Sequence, residues 1–134
     1  MTLGDAAATC FQKYATFSGR ASRSEFWFFY LFLILVGFVP LPIAALFNWI
    51  ESGHLHRILS YWGTGTIYVA VCLFLLAAII PSISVIVRRL HDTDHSGGWF
   101  WIGFVPIAGP ILLLVWYCTE GTAGPSRFGD ISQN

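Results

Sequence analysis

The sequence predicts an all-α membrane protein: three transmembrane helices preceded by a short amphipathic N-terminal helix. Three observations carry that expectation. Phe26 to Ile50, Ile58 to Val87 and His95 to Thr119 contain no Asp, Glu, Lys or Arg. Each holds about 20 predominantly apolar residues, the length an α-helix needs to cross ~30 Å of hydrocarbon. Hydrophobic residues make up 56% of the 134 and charged residues 10%, against a soluble norm of about 25% charged. A soluble body of this size would be too small to cover three such runs. The spans are expected at approximately 26–50, 66–87 and 99–118, with a tail from 119 to 134, in a single multi-pass domain.

In chain order, residues 5–17, DAAATCFQKYATF, suit the amphipathic helix. Phe11, Tyr14 and Phe17 recur every third residue and would share a stripe. Ser22-x-x-Glu25 directly before the first apolar run has the form of a capping box and starts the first span near Arg23. Phe26, Trp27 and Tyr30 supply its interfacial aromatic belt, Pro40 and Pro42 bend its far half, and Trp49 marks the other interface. A connector from Glu51 to Gly65 carries His54, His56 and Arg57. In the second span, Thr66 to Val87 includes thirteen Leu, Ile, Val or Phe, worth roughly −4 to −8 kcal/mol on an insertion scale. Pro81 should kink it near its exit. The polar stretch RRLHDTDHSGG follows, then a third span with tryptophans near its ends and Pro106 and Pro110 inside. The tail is rich in turn formers.

Charge and cysteine usage exclude several classes. The net formal charge is zero, which gives no reason to expect nucleic acid. Cys10, Cys72 and Cys118 form no CxxC pair and read as small apolar filler. The first 25 residues lack an apolar core followed by a small-residue cleavage site, so the first span is expected to be an uncleaved anchor. In a three-span layout, Lys13, Arg20, Arg23, Arg88 and Arg89 share one side, and Arg57 and Arg127 the other. That bias puts the N-terminus in the cytoplasm and the tail outside.

Several of these segments resemble a known family. Phe17-x-Gly19-Arg20-Ala21-x-Arg23-x-Glu25-Phe26-Trp27, then Arg88-Arg89-Leu90-His91-Asp92-Thr93 with Ser96, then Gly121-Thr122-x-Gly124 and Arg127-Phe128-Gly129, resemble the domain-of-unknown-function 805 family. The resemblance covers roughly residues 11–130. It implies a small, multi-pass protein of the bacterial inner membrane, and brings no reaction, substrate or cofactor. His95 stands where the family often has Arg, and Ser126 where it usually has Asn.

Arg20, Arg23, Glu25, Arg88, Arg89, His91 and Asp92 all fall on the expected cytoplasmic face. They read first as a salt-bridged collar that anchors the helix mouths. They are also candidate contacts for anionic lipid headgroups, since guanidiniums meet phosphate with a planar fork. His91-x-x-x-His95 would put two imidazoles on one helical face, as zinc hydrolases do, but Gly97-Gly98 follow at once and no third ligand is evident. No charged residue lies inside a span, whereas ion and proton pathways usually need one. The expected function is that of a non-enzymatic inner-membrane protein, without metal or cofactor, whose collar meets anionic lipids or a membrane protein partner, with homo-oligomers also open. The alternatives are a small-solute or ion transporter acting as an oligomer, and a membrane metalloenzyme using His91 and His95.

Overall fold

The computed structural model describes residues 1–50, 54–124 and 127–129. Its helices are α1 (Leu3–Gln12), α2 (Arg23–Phe38), α3 (Pro40–Ile50), α4 (His54–Ala77), α5 (Ile79–Asp92) and α6 (Ala108–Cys118), with a 3₁₀ helix at Gly97–Phe104 before α6. The chain divides into two compact units. One comprises the residues through Tyr30 and those from Ile80 onward, the other Leu31–Ile79.

Proline placement sets most helix boundaries. Pro40 and Pro42 fall in the first turn of α3, Pro81 in the first turn of α5, and Pro110 in the first turn of α6. A first-turn N–H has no intrahelical acceptor, so proline costs nothing there, whereas it would remove a bond from the interior of a longer helix. The apolar runs therefore break into shorter helices at Val39 and Ala78 without losing their apolar character. Arg23–Leu46 and Trp62–Asp92, of 24 and 31 residues, remain long and apolar enough to cross a membrane. Only 17% and 22% of their apolar windows are buried. A soluble core helix would hide most of that surface, whereas lipid covers it without further protein. In the Leu31–Ile79 unit, α3 packs along α4, Phe32 meets Phe74 edge-on at 6.1 Å, and Gly37 gives room for Leu75. The connector expected at Glu51–Gly65 is mostly helix, because α4 begins at His54. Residues 51–53 of it lie outside the described residues.

The first unit departs from expectation at both ends of the chain. Helix α1 starts with a capping box of its own: the Asp5 N–H donates to the Thr2 hydroxyl at 3.2 Å and the Thr2 N–H to the Asp5 carboxylate at 2.8 Å. It stops at Gln12, so Tyr14 and Phe17 lie beyond it and the aromatic stripe never forms as one helical face. Its buried side is Ala6, Ala7 and Cys10, small enough for close approach. The Ser84 hydroxyl of α5 then donates to the carbonyls of Thr16 (2.6 Å) and Lys13 (3.2 Å), fixing the chain after α1.

The third apolar run is not one helix. The 3₁₀ helix and α6 form an antiparallel hairpin, with Trp99 against Trp116 at its base, ring centroids 5.5 Å apart. Its tip is a tight γ-turn: the Ala108 N–H donates to the Pro106 carbonyl at 2.7 Å, and Ile107 takes φ 66°, a strained setting for a β-branched residue. Near the tip the two arms touch backbone to backbone at Gly109 and the Ile102 carbonyl. Each arm is about 16 Å long, roughly half the hydrocarbon thickness. Where the sequence predicts a span at 99–118, the structure has a 3₁₀ helix and α6 as a hairpin whose ends both return to the C-terminal end of α5.

A side chain at residue 109 would strike the Ile102 carbonyl, whereas one at Gly63 meets nothing within 4 Å. Gly109→Ala is therefore expected to lower thermal stability in detergent by about 1–3 kcal/mol. Gly63→Ala in α4 should be neutral or stabilising by up to about 1 kcal/mol. Equal melting of Gly109→Ala and the parent protein would mean that the hairpin is not closed in this way.

Candidate functional site

Five charged side chains, Arg20, Glu25, Arg88, Arg89 and Asp92, are buried together, none more than 8% exposed. Local sequence places each of them. The Ser22 hydroxyl accepts from the Glu25 N–H at 3.2 Å, which starts α2 and sets Glu25 in its first turn. Instead of reaching back to the cap, the Glu25 carboxylate is taken by α5. Arg88 Nη1 donates to Glu25 Oε1 at 2.5 Å, and the Cys10 thiol of α1 donates to the same oxygen at 3.8 Å.

Asp92 carries two cations. Its Oδ1 accepts from Arg20 Nε at 2.8 Å, and its Oδ2 accepts from Arg89 Nη1, one turn earlier on α5. Both arginines then reach the last part of the chain. Arg20 donates to the carbonyls of Thr122 (2.6 Å) and Gly124 (2.7 Å). Arg89 donates to those of Tyr117 and Thr119, and Arg23 to the Cys118 carbonyl between them at 3.3 Å. The open carbonyls at the C-terminus of α6 are thus capped by guanidiniums, which also oppose the negative end of its dipole. Backbone bonds complete the clamp. The Ala21 N–H donates to the Arg88 carbonyl at 3.0 Å and the Thr122 N–H to that of Asp92 at 2.8 Å. Gly121 presses so closely on the Asp92 carboxylate that a Cβ there would overlap it.

The buried cluster holds three cations (Arg20, Arg88, Arg89) and two carboxylates (Glu25, Asp92), a net charge of +1. Among the described residues, Arg88 Nε and Nη2 find no hydrogen-bond acceptor. Beside the cluster, burial pushes the Cys10 thiol up to about 12, reinforced by the Glu25 charge and opposed by Arg88.

The remaining sequence-singled residues go elsewhere. Arg23 is half exposed and pairs with Glu120 at 3.1 Å. His91 has Nδ1 3.2 Å from the Gly19 carbonyl and stacks on Phe128 at 4.1 Å. His95 stacks on Trp116 at 4.1 Å. Helix α5 ends at Asp92, and Asp94 turns left-handed at φ 58°, so the two imidazoles do not share a helical face. Among the described residues, no three His, Cys, Asp or Glu side chains converge as a metal site would require. Sequence reasoning missed Cys10, Ala21, Thr122, Gly124 and Phe128 as members of the clamp. Most of them contribute backbone atoms, which leave no mark in residue type, although Gly121 at a buried carboxylate is a signal that could have been read. Ser126 lies outside the described residues.

A family model described as "Protein of unknown function (DUF805)" matches residues 14–130. The chain is a member of the DUF805 family. Two Escherichia coli K-12 relatives of this DUF805 protein are named inner membrane proteins. "Inner membrane protein YhaI" is 42% identical over 119 residues, covering 89% of this chain and 87% of the relative. "Inner membrane protein YhaH" is 32% identical over 118 residues, covering 88% of each. No solved structure matches this DUF805 chain.

Breaking a buried ion pair by removing one partner leaves an uncompensated charge, at a cost of about 3–5 kcal/mol. Asp92→Asn is expected to destabilise the protein on that scale, read as thermal unfolding in detergent. Arg23→Gln, at an exposed pair, should stay within about 1 kcal/mol. Similar melting of both variants would refute the central place given to Asp92. Cys10, kept protonated and buried, should resist maleimide at pH 8 in folded protein and react once the protein is denatured. Rapid labelling of folded protein at residue 10 would contradict its place on the buried side of α1.

Proposed function

We propose that this DUF805 protein is a non-enzymatic protein of the bacterial inner membrane that crosses the bilayer twice. In this reading Arg23–Leu46 and Trp62–Asp92 are the crossings. The N-terminal helix, the clamp and the tail lie in the cytoplasm, and the hairpin dips into the cytoplasmic leaflet, whose lipids are its partners. One observation carries the topology. Arg20, ahead of the first crossing, is bonded to Thr122 and Gly124 of the tail, so the tail belongs on the N-terminal side of the bilayer. An external tail would need a third crossing, and hairpin arms of about 16 Å are too short to supply one.

The distribution of basic residues supports this layout better than three spans do. Lys13, Arg20, Arg23, Arg88, Arg89 and Arg127 then share one side, with Arg57 alone on the other. Six against one is a stronger positive-inside bias than five against two. The non-enzymatic reading draws on the chemistry of the cluster. Asp92 is held by two guanidiniums and Glu25 by Arg88 and Cys10, so neither carboxylate is placed to exchange protons with a substrate. The same burial narrows the expected headgroup site. Arg20, Arg88 and Arg89 are spent inside the protein, and Arg23 is the arginine of the collar left facing outward.

Fusing a reporter active only in the cytoplasm after Asn134 is expected to give full signal, as is the same reporter ahead of Met1. A silent C-terminal fusion beside an active N-terminal one would restore the odd number of crossings and overturn this topology.

A further inference from the structure

The side chains of Arg20, Arg88 and Arg89 are 0–2% exposed, whereas that of Arg23 is 48% exposed. Arg23 stands at the lip of an open groove of about 450 Å³, lined also by Ser24, Trp27, Phe28 and Cys118. Trp27 and Phe28 lie one turn further along α2, which in the two-crossing reading is the direction of the hydrocarbon. The groove is therefore cationic at its water end and aromatic at its lipid end. That gradient suits an amphiphile with an anionic head.

Electrostatics favours an anion at this lip. Arg89 binds the carbonyls of Tyr117 and Thr119 on either side of the Cys118 carbonyl that Arg23 takes. The groove thus abuts the buried cluster with its net charge of +1. Its present counter-ion is Glu120, whose side chain is 85% exposed. An exposed pair of this kind is weak and readily exchanged.

We propose that this groove seats one anionic phospholipid of the cytoplasmic leaflet. Its phosphate accepts from the Arg23 guanidinium in place of Glu120. Its glycerol portion lies over Trp27 and beside Cys118, and its acyl chains leave through the open side into the bilayer. The proposal rests on the membrane reading above and adds the ligand and the residue that selects it.

Cys118 is exposed and lines the groove, which makes it a native reporter. The experiment uses the full chain with Cys72→Ser, so that Cys118 is the accessible thiol and Cys10 stays buried. The protein is reconstituted in phosphatidylcholine vesicles with or without phosphatidylglycerol, and N-ethylmaleimide alkylation of Cys118 is timed. Phosphatidylglycerol should slow alkylation about fivefold, the occupancy change that one basic contact with an anionic lipid supports. Arg23→Gln should abolish the slowing, and Arg23→Lys should retain only part of it, because the planar fork is lost. Glu120→Gln should enlarge it. Equal rates with and without phosphatidylglycerol, or slowing that survives Arg23→Gln as a general surface-charge effect would, overturns the seat. Vesicle flotation keeps the two ideas apart. Protein that floats with the vesicles but shows no protection loses the seat alone, whereas protein that does not float loses the membrane reading and the seat together.

Discussion

A single carboxylate holds together the unit formed by the residues through Tyr30 and those from Ile80 onward. Asp92 accepts from Arg20, which precedes α2, and from Arg89, on its own helix. Its backbone carbonyl accepts from Thr122 of the tail, and Gly121 packs on its oxygens. Both arginines continue past it to carbonyls of the C-terminal segment. In a low-dielectric interior such contacts reinforce one another, and each is costly to leave unmade. The entry of α2, the end of α5, the return of the hairpin and the path of the tail are therefore one coupled decision. A buried ion cluster is weak evidence for stability in itself, because desolvation offsets much of the attraction. Here its effect is geometric, in that it admits one arrangement of four segments.

Proline governs where the apolar helices begin. Each apolar run contains proline, and each breaks so that a proline lies in the first turn of the helix that follows. In the first two runs the result is still long enough to cross a bilayer. The third differs through its glycines. Gly109 admits backbone contact with the Ile102 carbonyl and Gly103 leaves little room beyond Leu113, so the chain reverses at Ile107. Hydropathy and length cannot tell a reversal from a crossing, because both bury the same apolar residues in lipid.

Much of the charged site was legible beforehand. Ser22 before an apolar run starts α2, and the placing of Arg20, Arg23, Glu25, Arg88, Arg89 and Asp92 around the helix mouths brings them into one region. Their division of labour was not. Which arginines are sealed and which face outward depends on a tail that binds through Thr122 and Gly124 carbonyls, and carbonyls are common to every residue. The metal-like spacing of His91 and His95 failed for a related reason, since Asp94 leaves the helix in a left-handed turn before the second ring is placed. Cys10 looked like filler and lies against Glu25, because small residues on α1 let that helix come close.

The reach of Arg20 also fixes an order of events during synthesis. Its partners Asp92, Thr122 and Gly124 lie 72, 102 and 104 residues downstream. At ribosomal speeds of about 5–20 residues per second, the guanidinium waits roughly 5–20 s for its last acceptor. In the two-crossing layout proposed above, both crossings are made in that interval, while the cations that will be buried are still hydrated on the ribosome's side. In that layout a charge that stays wet is not drawn through the bilayer, so until the tail arrives Arg20 would act as a brake on translocation. Only afterwards does it become part of the interior.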